Sequence, residues 1–261
     1  RNDVGDVEGY KHNSKTVTLG GDYRFAPCYL AGIAMSYTKG KTKLNANMGR
    51  IALDGYTVTL YNSLKFGGFY ADGSLAYGWN QIDVERYIPQ LMTSAKANPL
   101  GTHWGSSLLL GYDVTCDGFR IGPTANINYG KTKVTSYREE GGNIFNMLVH
   151  AQRTTTCVGS LGGHMSYDWE LCEGILTPTI RSSYDHEFRN RSRTLVTELS
   201  NMRGIPHYLP VPSNDNDYYR IGGGLNWFSN QNYSFSFDYE TIVARKHSRD
   251  HFFFVKYRQM L

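Results

Sequence analysis

Successive side chains along most of this sequence alternate between apolar and polar. In segment 231–240 every second residue from position 233 onward is aromatic, and these residues are Tyr233, Phe235, Phe237 and Tyr239. Segments 15–25 and 118–130 show the same period of two. Because side chains of a β-strand point to opposite faces in turn, this period is typical of strands with one apolar and one polar face. It predicts an all-β fold.

The same period, applied to the whole chain, predicts eleven strands. They lie near residues 15–26, 28–39, 51–66, 68–83, 101–114, 118–137, 153–169, 174–188, 217–228, 232–244 and 250–259. Most exceed the roughly 5–6 residues usual in soluble proteins and match the roughly 9–11 with which a tilted strand crosses a bilayer. No run of about 18 apolar residues could form a membrane-spanning helix.

Short and long connections between these strands alternate without exception. The short ones lie near 26–28, 66–68, 115–118, 170–174 and 229–231, and the long ones near 40–50, 84–100, 138–152, 189–216 and 245–249. Transmembrane barrels have brief periplasmic turns and long outer loops, whereas a soluble sandwich has no reason to sort its loops. The sequence therefore predicts a transmembrane antiparallel up-and-down β-barrel in the bacterial outer membrane.

The strand count points to one further strand. Single-chain bacterial barrels have even numbers of strands, and the first visible strand here ends at a short turn. An outward-running strand should precede it, supplied weakly by residues 3–11 or located before Arg1. We therefore predict twelve strands, the first weak or missing. Arg1-Asn2-Asp3 indicates a cut inside a longer protein, so residues 1–261 would form one barrel domain.

The two faces of the predicted strands differ in chemistry. One carries apolar residues such as Ile33, Leu75, Leu108, Leu161 and Leu225 and should meet lipid. The other carries charges of both signs, which should line the lumen: Asp22, Arg24, Lys65, Asp72, Asp113, Arg120, Arg181, Glu187, Arg220, Asp238, Glu240, Lys256 and Arg258. The alternative is a soluble barrel with reversed faces. Glycines on both faces and the sparse charged face weigh against it.

Few residues suggest chemistry of their own. Asp185 and His186 are adjacent in a strand and point to opposite faces, so they cannot form a dyad directly. His247 and His251 bracket a turn and are better explained as parts of an outer loop than as metal ligands. We predict no catalytic, metal or cofactor site. The net charge of +4 is too mild to suggest a nucleic-acid partner.

Three local features leave questions open. Pro123 and Pro178 fall within predicted strands, where each should mark a bulge because proline cannot donate to the ladder. Of the four cysteines, Cys116 and Cys172 lie at neighbouring turns, and a disulfide between them, free thiols or cross-chain bonds all remain open. The basic loop 189–216 could contact lipopolysaccharide phosphates, although a solvated loop is the simpler interpretation.

Several segments, taken in order, resemble the autotransporter β-domain. They are Gly20–Arg24, Leu30–Ala34, Ser36-Tyr37, Gly55-Tyr56, Leu60-Tyr61, Gly68–Asp72, Leu75–Gly78, Ile121–Pro123, Ser136–Gly141, Leu176–Pro178, Ser183–Phe188, Gly222–Leu225 and the strand around Tyr239. The resemblance runs from about residue 15 to the end. Prolines in the middle of strands are a feature of that family and match Pro123 and Pro178.

The resemblance implies the translocator barrel of a type V secretion protein. Such a domain anchors an N-terminal passenger and helps move it to the cell surface, with a linker helix in the pore. The implied partners are the passenger and linker helix, outer-membrane lipid and lipopolysaccharide, and the barrel assembly machinery, with the barrel monomeric. Two other functions stay open at this point: a porin-like channel, and a barrel enzyme such as a surface protease.

Overall fold

The computed structural model describes residues 9–189, 193–202, 204–211, 215–245 and 248–260. Within them the chain forms eighteen strands: β1 (Tyr10–Ala26), β2 (Tyr29–Leu44), β3 (Gly49–Phe66), β4 (Phe69–Ile88), β5 (Thr93–Ala97), β6 (Leu100–Tyr112), β7 (Val114–Cys116), β8 (Phe119–Val134), β9 (Tyr137–Arg138), β10 (Met147–Val149), β11 (Gln152–Tyr167), β12 (Trp169–Leu171), β13 (Gly174–Glu187), β14 (Arg193–Leu199), β15 (His207–Val211), β16 (Asp217–Ser229), β17 (Tyr233–Val243) and β18 (Asp250–Gln259). A helix long and apolar enough to cross a membrane is not found in this part of the chain.

Eleven long strands form one continuous sheet. Their order is β1-β2-β3-β4-β6-β8-β11-β13-β16-β17-β18, and every neighbouring pair is antiparallel. Each long strand therefore pairs with its predecessor along the chain, as an up-and-down barrel requires. The predicted all-β antiparallel architecture is confirmed.

The first and last long strands are the edges of this sheet. Because eleven strands alternate in direction, β1 and β18 run the same way. An ion pair between the side chains of Asp22 and Arg258 joins them, so the two edges face each other. Tyr10 and Lys11 belong to β1. The suggestion that residues 3–11 form a separate outward strand is therefore wrong for these two residues. Residues 1–8 lie outside the described part, and twelve strands stay a prediction.

The two central prolines lie at gaps in the sheet. Pairing of β8 with β6 ends at Thr124, and pairing with β7 begins at Ile121, so Pro123 falls between them. Pro178 lies in the same kind of gap, between the pairing of β13 with β11 and with β12. The register is unchanged across both gaps, so the expected bulges are wrong. A break of two residues is enough to accommodate the missing N–H.

Three of the connections predicted as loops contain additional strands. β9 and β10 lie in the connection after β8, and β14 and β15 in the connection after β13. These four form a second sheet, in the order β15-β14-β10-β9, which we call the outer sheet. The connection after β4 folds back as β5, and backbone hydrogen bonds between Lys96 and Glu140 attach it to the outer sheet. The three longest outer connections are therefore one assembly.

A small core holds this assembly together. Ile88, Ala95 and Val149 are buried, and so is the carboxylate of Glu139. Glu139 accepts hydrogen bonds from Arg86 Nε at 3.0 Å and Arg86 Nη2 at 2.6 Å, and from the backbone N–H of Met147 at 3.1 Å. A bidentate arginine pair of this kind is strong and geometrically specific. It fixes the β9–β10 segment on the hairpin formed by β4 and β5.

Candidate functional site: the polar wall of the lumen

Apolar side chains cover the outside of the barrel. Exposed residues of this face include Ile33, Leu60, Leu75, Leu161 and Ile180. Aromatic rings are grouped at both ends of the strands, as shown by Tyr37 and Tyr56 (centroids 5.2 Å apart) at one end and Phe119 and Tyr167 (6.4 Å) at the other. So much exposed apolar surface is stable only against lipid, and paired aromatic belts mark the two membrane interfaces. The soluble barrel with reversed faces is therefore excluded.

Polar side chains line the inside. One cavity of about 420 Å³ is bounded by residues from seven strands, β4, β6, β8, β11, β13, β16 and β17. Its wall includes Tyr70, His164, Arg181, Arg220 and Glu240. Strands so far apart in sheet order can enclose one cavity only on the concave face. The polar face is therefore the lumen.

Two arginines and three carboxylates form the densest charge cluster in the lumen. We call Asp185, Arg181, Arg220, Asp238 and Glu240 the arginine–carboxylate network. Arg220 contacts Asp185 at 2.8 Å and Glu240 at 3.3 Å. Arg181 contacts Asp238 at 3.0 Å and Glu240 at 3.6 Å. Each arginine thus binds two carboxylates, and Glu240 joins the two halves.

Asp185 is the most buried member of the network. Its side chain is 0% exposed, and it accepts a hydrogen bond from Ser183 Oγ at 2.9 Å in addition to the Arg220 contact. A buried carboxylate is strongly destabilising unless it is paired and hydrogen-bonded, and Asp185 is both. Its neighbour His186 points to the other face and contacts Asp217 at 2.7 Å. The two residues form no dyad, as their positions in the strand predicted.

Smaller ion pairs lie elsewhere on the same wall. Arg120 contacts Asp168 at 2.9 Å, and His164 contacts Asp113 at 3.1 Å. Asp22, which pairs with Arg258, also accepts a hydrogen bond from the Tyr61 hydroxyl at 3.0 Å. The contacts of His164 with Asp113 and of Asp22 with Tyr61 reach across an intervening strand, so they brace the wall from inside. Arg120, by contrast, contacts the residue that follows the neighbouring strand β11.

The structure brings some of the predicted lumen charges together and leaves others apart. Asp22 meets Arg258, and Arg181 and Arg220 meet Asp238 and Glu240. Arg120 and Asp113 pair instead with residues outside the predicted set. Five predicted charges take part in no ion pair with another described residue, namely Arg24, Lys65, Asp72, Glu187 and Lys256. Glu187 accepts hydrogen bonds from the backbone N–H groups of Cys157 and Arg189, so it stabilises the end of β13.

Sequence reasoning missed the aromatic residues of the lumen. A Cβ at Gly32 would lie 2.5 Å from the Tyr61 ring, and one at Gly111 would overlap the Tyr70 ring. Each tyrosine therefore lies over a glycine of the adjacent strand, where any larger residue would collide with it. The alternation of the strands could have revealed both tyrosines, because each lies on the lumen-facing side of its strand. The same alternation places Phe252 and Phe254 on the lumen face, and these were also missed.

The remaining candidate chemistry is limited. Cys116 and Cys172, whose bonding the sequence left open, are exposed and free, and Cys28 and Cys157 are free as well. Within the described residues, no group of three or more His, Cys, Asp or Glu side chains could hold a metal ion. His247, Arg191 and Arg203 lie outside those residues.

Comparisons with known proteins agree with this architecture. A family model described as Autotransporter beta-domain matches residues 1–240. Outer membrane protein A of Rickettsia conorii is 22% identical over 259 residues, which cover 92% of this chain but only 12% of that protein. The chain thus spans about an eighth of the length of that relative.

Two solved structures share the fold. The translocator domain of the autotransporter NalP from Neisseria meningitidis has a TM-score of 0.78 at 15% identity, covering 98% of this chain and 82% of that one. The beta domain of the Bordetella autotransporter BrkA has a TM-score of 0.72 at 18% identity, covering 96% and 91%. At these identities the likeness concerns the fold alone.

Proposed function

This chain belongs to the autotransporter β-domain family, and we propose that its lumen charges contact the segment that connects an exported passenger to the barrel without binding any one sequence tightly. It is an outer-membrane translocator barrel that serves passenger export, and an associated passenger follows from that role. The lumen side chains of this barrel would contact the threaded chain directly. The residues assigned to it are the lumen charges named above.

The observation that carries the proposal is the arginine–carboxylate network. Its two arginines and three carboxylates mostly satisfy one another, with contacts between 2.8 and 3.6 Å. A lumen neutralised in this way keeps water and offers hydrogen bonds, but has little net charge with which to retain a passing chain. It can therefore contact many sequences without binding one of them tightly. An export channel for an unfolded chain needs this property.

We further propose that a segment preceding β1 completes the barrel as its twelfth strand. β1 and β18 run in the same direction, so one antiparallel strand between them would pair with both edges. Unpaired strand edges in lipid leave backbone N–H and C=O groups unsatisfied, which is strongly unfavourable. The domain would then comprise residues 1–261 as one barrel, with the passenger upstream.

The other proposed partners follow from the location. Outer-membrane lipid and lipopolysaccharide would contact the apolar face and the outer loops, and the barrel assembly machinery would insert the strands. The barrel would act as a monomer, without a cofactor and without a catalytic site of its own. Any enzymatic or adhesive activity would then reside in the passenger.

An export assay tests the proposal. The chain, with its native upstream linker, is fused behind an unrelated unfolded passenger carrying an epitope, and antibody binding to intact cells is measured. We expect surface display, and its loss when residues 250–261 are deleted, because the barrel then cannot close. The variant Arg181→Gln, which leaves the ion pair of Arg220 with the buried Asp185 intact, should insert but display less passenger. Normal insertion of the parent barrel with no displayed passenger would favour the porin or enzyme function instead.

A further inference from the structure

Two phenylalanine rings on the last strand face the lumen. In the register of β17 with β18, Phe252 lies opposite Glu240 and Phe254 lies opposite Asp238. Residues directly opposite one another in a sheet share a face, and both carboxylates belong to the arginine–carboxylate network. Phe253, between them, lies opposite Tyr239 on the lipid face, and its ring is 5.0 Å from that of Tyr239. The three consecutive phenylalanines therefore divide between lumen and lipid.

The two inward rings form an apolar shelf. Their centroids are 6.4 Å apart, and their planes differ by 13°. Phe252 is 40% exposed and Phe254 is 51% exposed. The inward tyrosines differ, because Tyr61 and Tyr70 lie over glycines of neighbouring strands and are only partly accessible. The shelf, by contrast, presents hydrocarbon surface to the water of the lumen, which is unfavourable unless something covers it.

The carboxylates directly opposite the shelf are already paired, although Lys256, the next inward residue of β18, makes no ion pair with another described residue. Asp238 and Glu240, directly beside the rings, are both paired with arginines. An incoming peptide would therefore compete poorly for these charges, but it could bury the rings without breaking any ion pair. The surface thus favours an apolar side chain.

We propose that Phe252 and Phe254 form a contact site for apolar side chains of the peptide segment threaded through the barrel. This inference rests on the proposed export function and adds a preference to it: the segment should carry aliphatic residues at the height of the shelf. The occupant is a chain within the lumen, because the rings project inward from β18. The twelfth strand proposed above would pair with the open edge of β18 and cover that side of the rings, and the surface left for the threaded chain is the one directed into the lumen.

Photo-crosslinking in the full-length protein tests this site. The fused passenger carries a disulfide-closed loop that stalls export, and protease accessibility establishes that the linker spans the barrel. The photoreactive residue p-benzoyl-L-phenylalanine replaces Phe252 or Phe254, with replacement of Phe253 or Val255 as the lipid-facing control. Two linkers are compared, one with leucines on one helical face and one with serines in their place.

We expect adducts between linker and barrel from positions 252 and 254, at least tenfold stronger with the leucine linker than with the serine linker. Positions 253 and 255 should give background adducts only. Three outcomes would overturn the site. They are equal adducts from both faces, no adduct at positions 252 and 254 with a linker shown to span the barrel, and no difference between the two linkers. A parent fusion that never enters the barrel would instead contradict the export function itself.

A double substitution separates contact from packing. Phe252→Ser/Phe254→Ser should leave the heat-modifiable mobility of the folded barrel unchanged, and should shorten the time for which the leucine linker remains in the lumen severalfold. Phe253→Ser is the matched control and should leave that time unchanged. Loss of the folded mobility in the double variant would show that the rings pack within the barrel, which would overturn the proposal.

Discussion

The barrel wall presents its apolar residues outward, whereas the assembly around the outer sheet has a small buried core of its own. Large apolar side chains such as Ile33 and Leu161 are exposed along the wall, whose inside is held by ion pairs. In the outer sheet assembly, Ile88, Ala95 and Val149 are buried together with the ion pair of Arg86 and Glu139. The wall therefore needs lipid to be stable, while the outer sheet follows the rules of a small soluble domain. The two regions should respond to substitution in opposite ways.

The largest effect should come from a charge on the lipid face of the wall. Phe237→Arg places a cation in the bilayer, where it should destabilise the barrel by up to about 4 kcal/mol. Ser236→Arg, one residue away on the lumen face, should have little effect. The measurement is urea-dependent folding into lipid vesicles. Similar effects of the two substitutions would contradict the assignment of the faces.

Removal of a buried carboxylate should destabilise the outer sheet nearly as strongly, and this effect should stay confined to the outer connections. Glu139→Ala removes the partner of Arg86, and breaking such a pair costs about 3 kcal/mol. We expect rapid proteolysis of the outer connections with unchanged insertion of the barrel. Glu140→Ala is the control, because its side chain is exposed. Failure of Glu139→Ala to insert would mean that the two regions are not independent.

A methyl group in the lumen should have a moderate effect. Gly32→Ala forces a Cβ against the Tyr61 ring, and overpacking of this kind costs about 2 kcal/mol. Gly21→Ala should be nearly neutral, since nothing lies within 4 Å of its added Cβ. Comparing the urea midpoints of the two variants measures how tightly the lumen wall is packed. Equal midpoints would indicate that Tyr61 moves aside freely.

The smallest effect should come from an exposed ion pair. Arg50 contacts Glu85 at 2.5 Å, but its side chain is 71% exposed. Pairs so accessible to water contribute below about 1 kcal/mol. Arg50→Ala should therefore leave both proteolysis and insertion almost unchanged. A loss comparable with that of Glu139→Ala would show that burial is not what separates the two ion pairs.

The wall could be predicted from sequence because its order is local. Each long strand pairs with the one before it, and alternation with respect to lipid follows directly from side-chain chemistry. β18, for example, is found at the predicted residues 250–259. Lumen parity placed Arg181 and Glu240 on one face, but their contact depends on the stagger between strands. The period of two shows which face a residue lies on, but not how far one strand is shifted relative to the next. Neither the arginine–carboxylate network nor the burial of Asp185 could therefore be derived from the sequence.

The outer sheet was not predicted, because its pairing is distant. Met147 on β10 lies opposite Leu199 on β14, some fifty positions later in the chain. Strands as short as Met147–Val149 show too little alternation to be recognised. Their stability comes from contacts such as that of Glu139 with Arg86, between two different connections. A short acidic run in a predicted loop gave no sign of this.

The outer sheet also has a mechanical consequence. It ties the connection after β4 to the connection after β13, which leave the barrel four strand positions apart. The outer sheet thus holds the outer ends of β4 and β13 at a fixed separation. This part of the barrel could widen only if the outer sheet came apart. Until the proposed twelfth strand pairs with both edges, the seam between β18 and β1 is joined, among the described residues, by the ion pair of Asp22 with Arg258. We expect compliance to concentrate at that seam, and spin-label distances across it should be broader than those between β4 and β13.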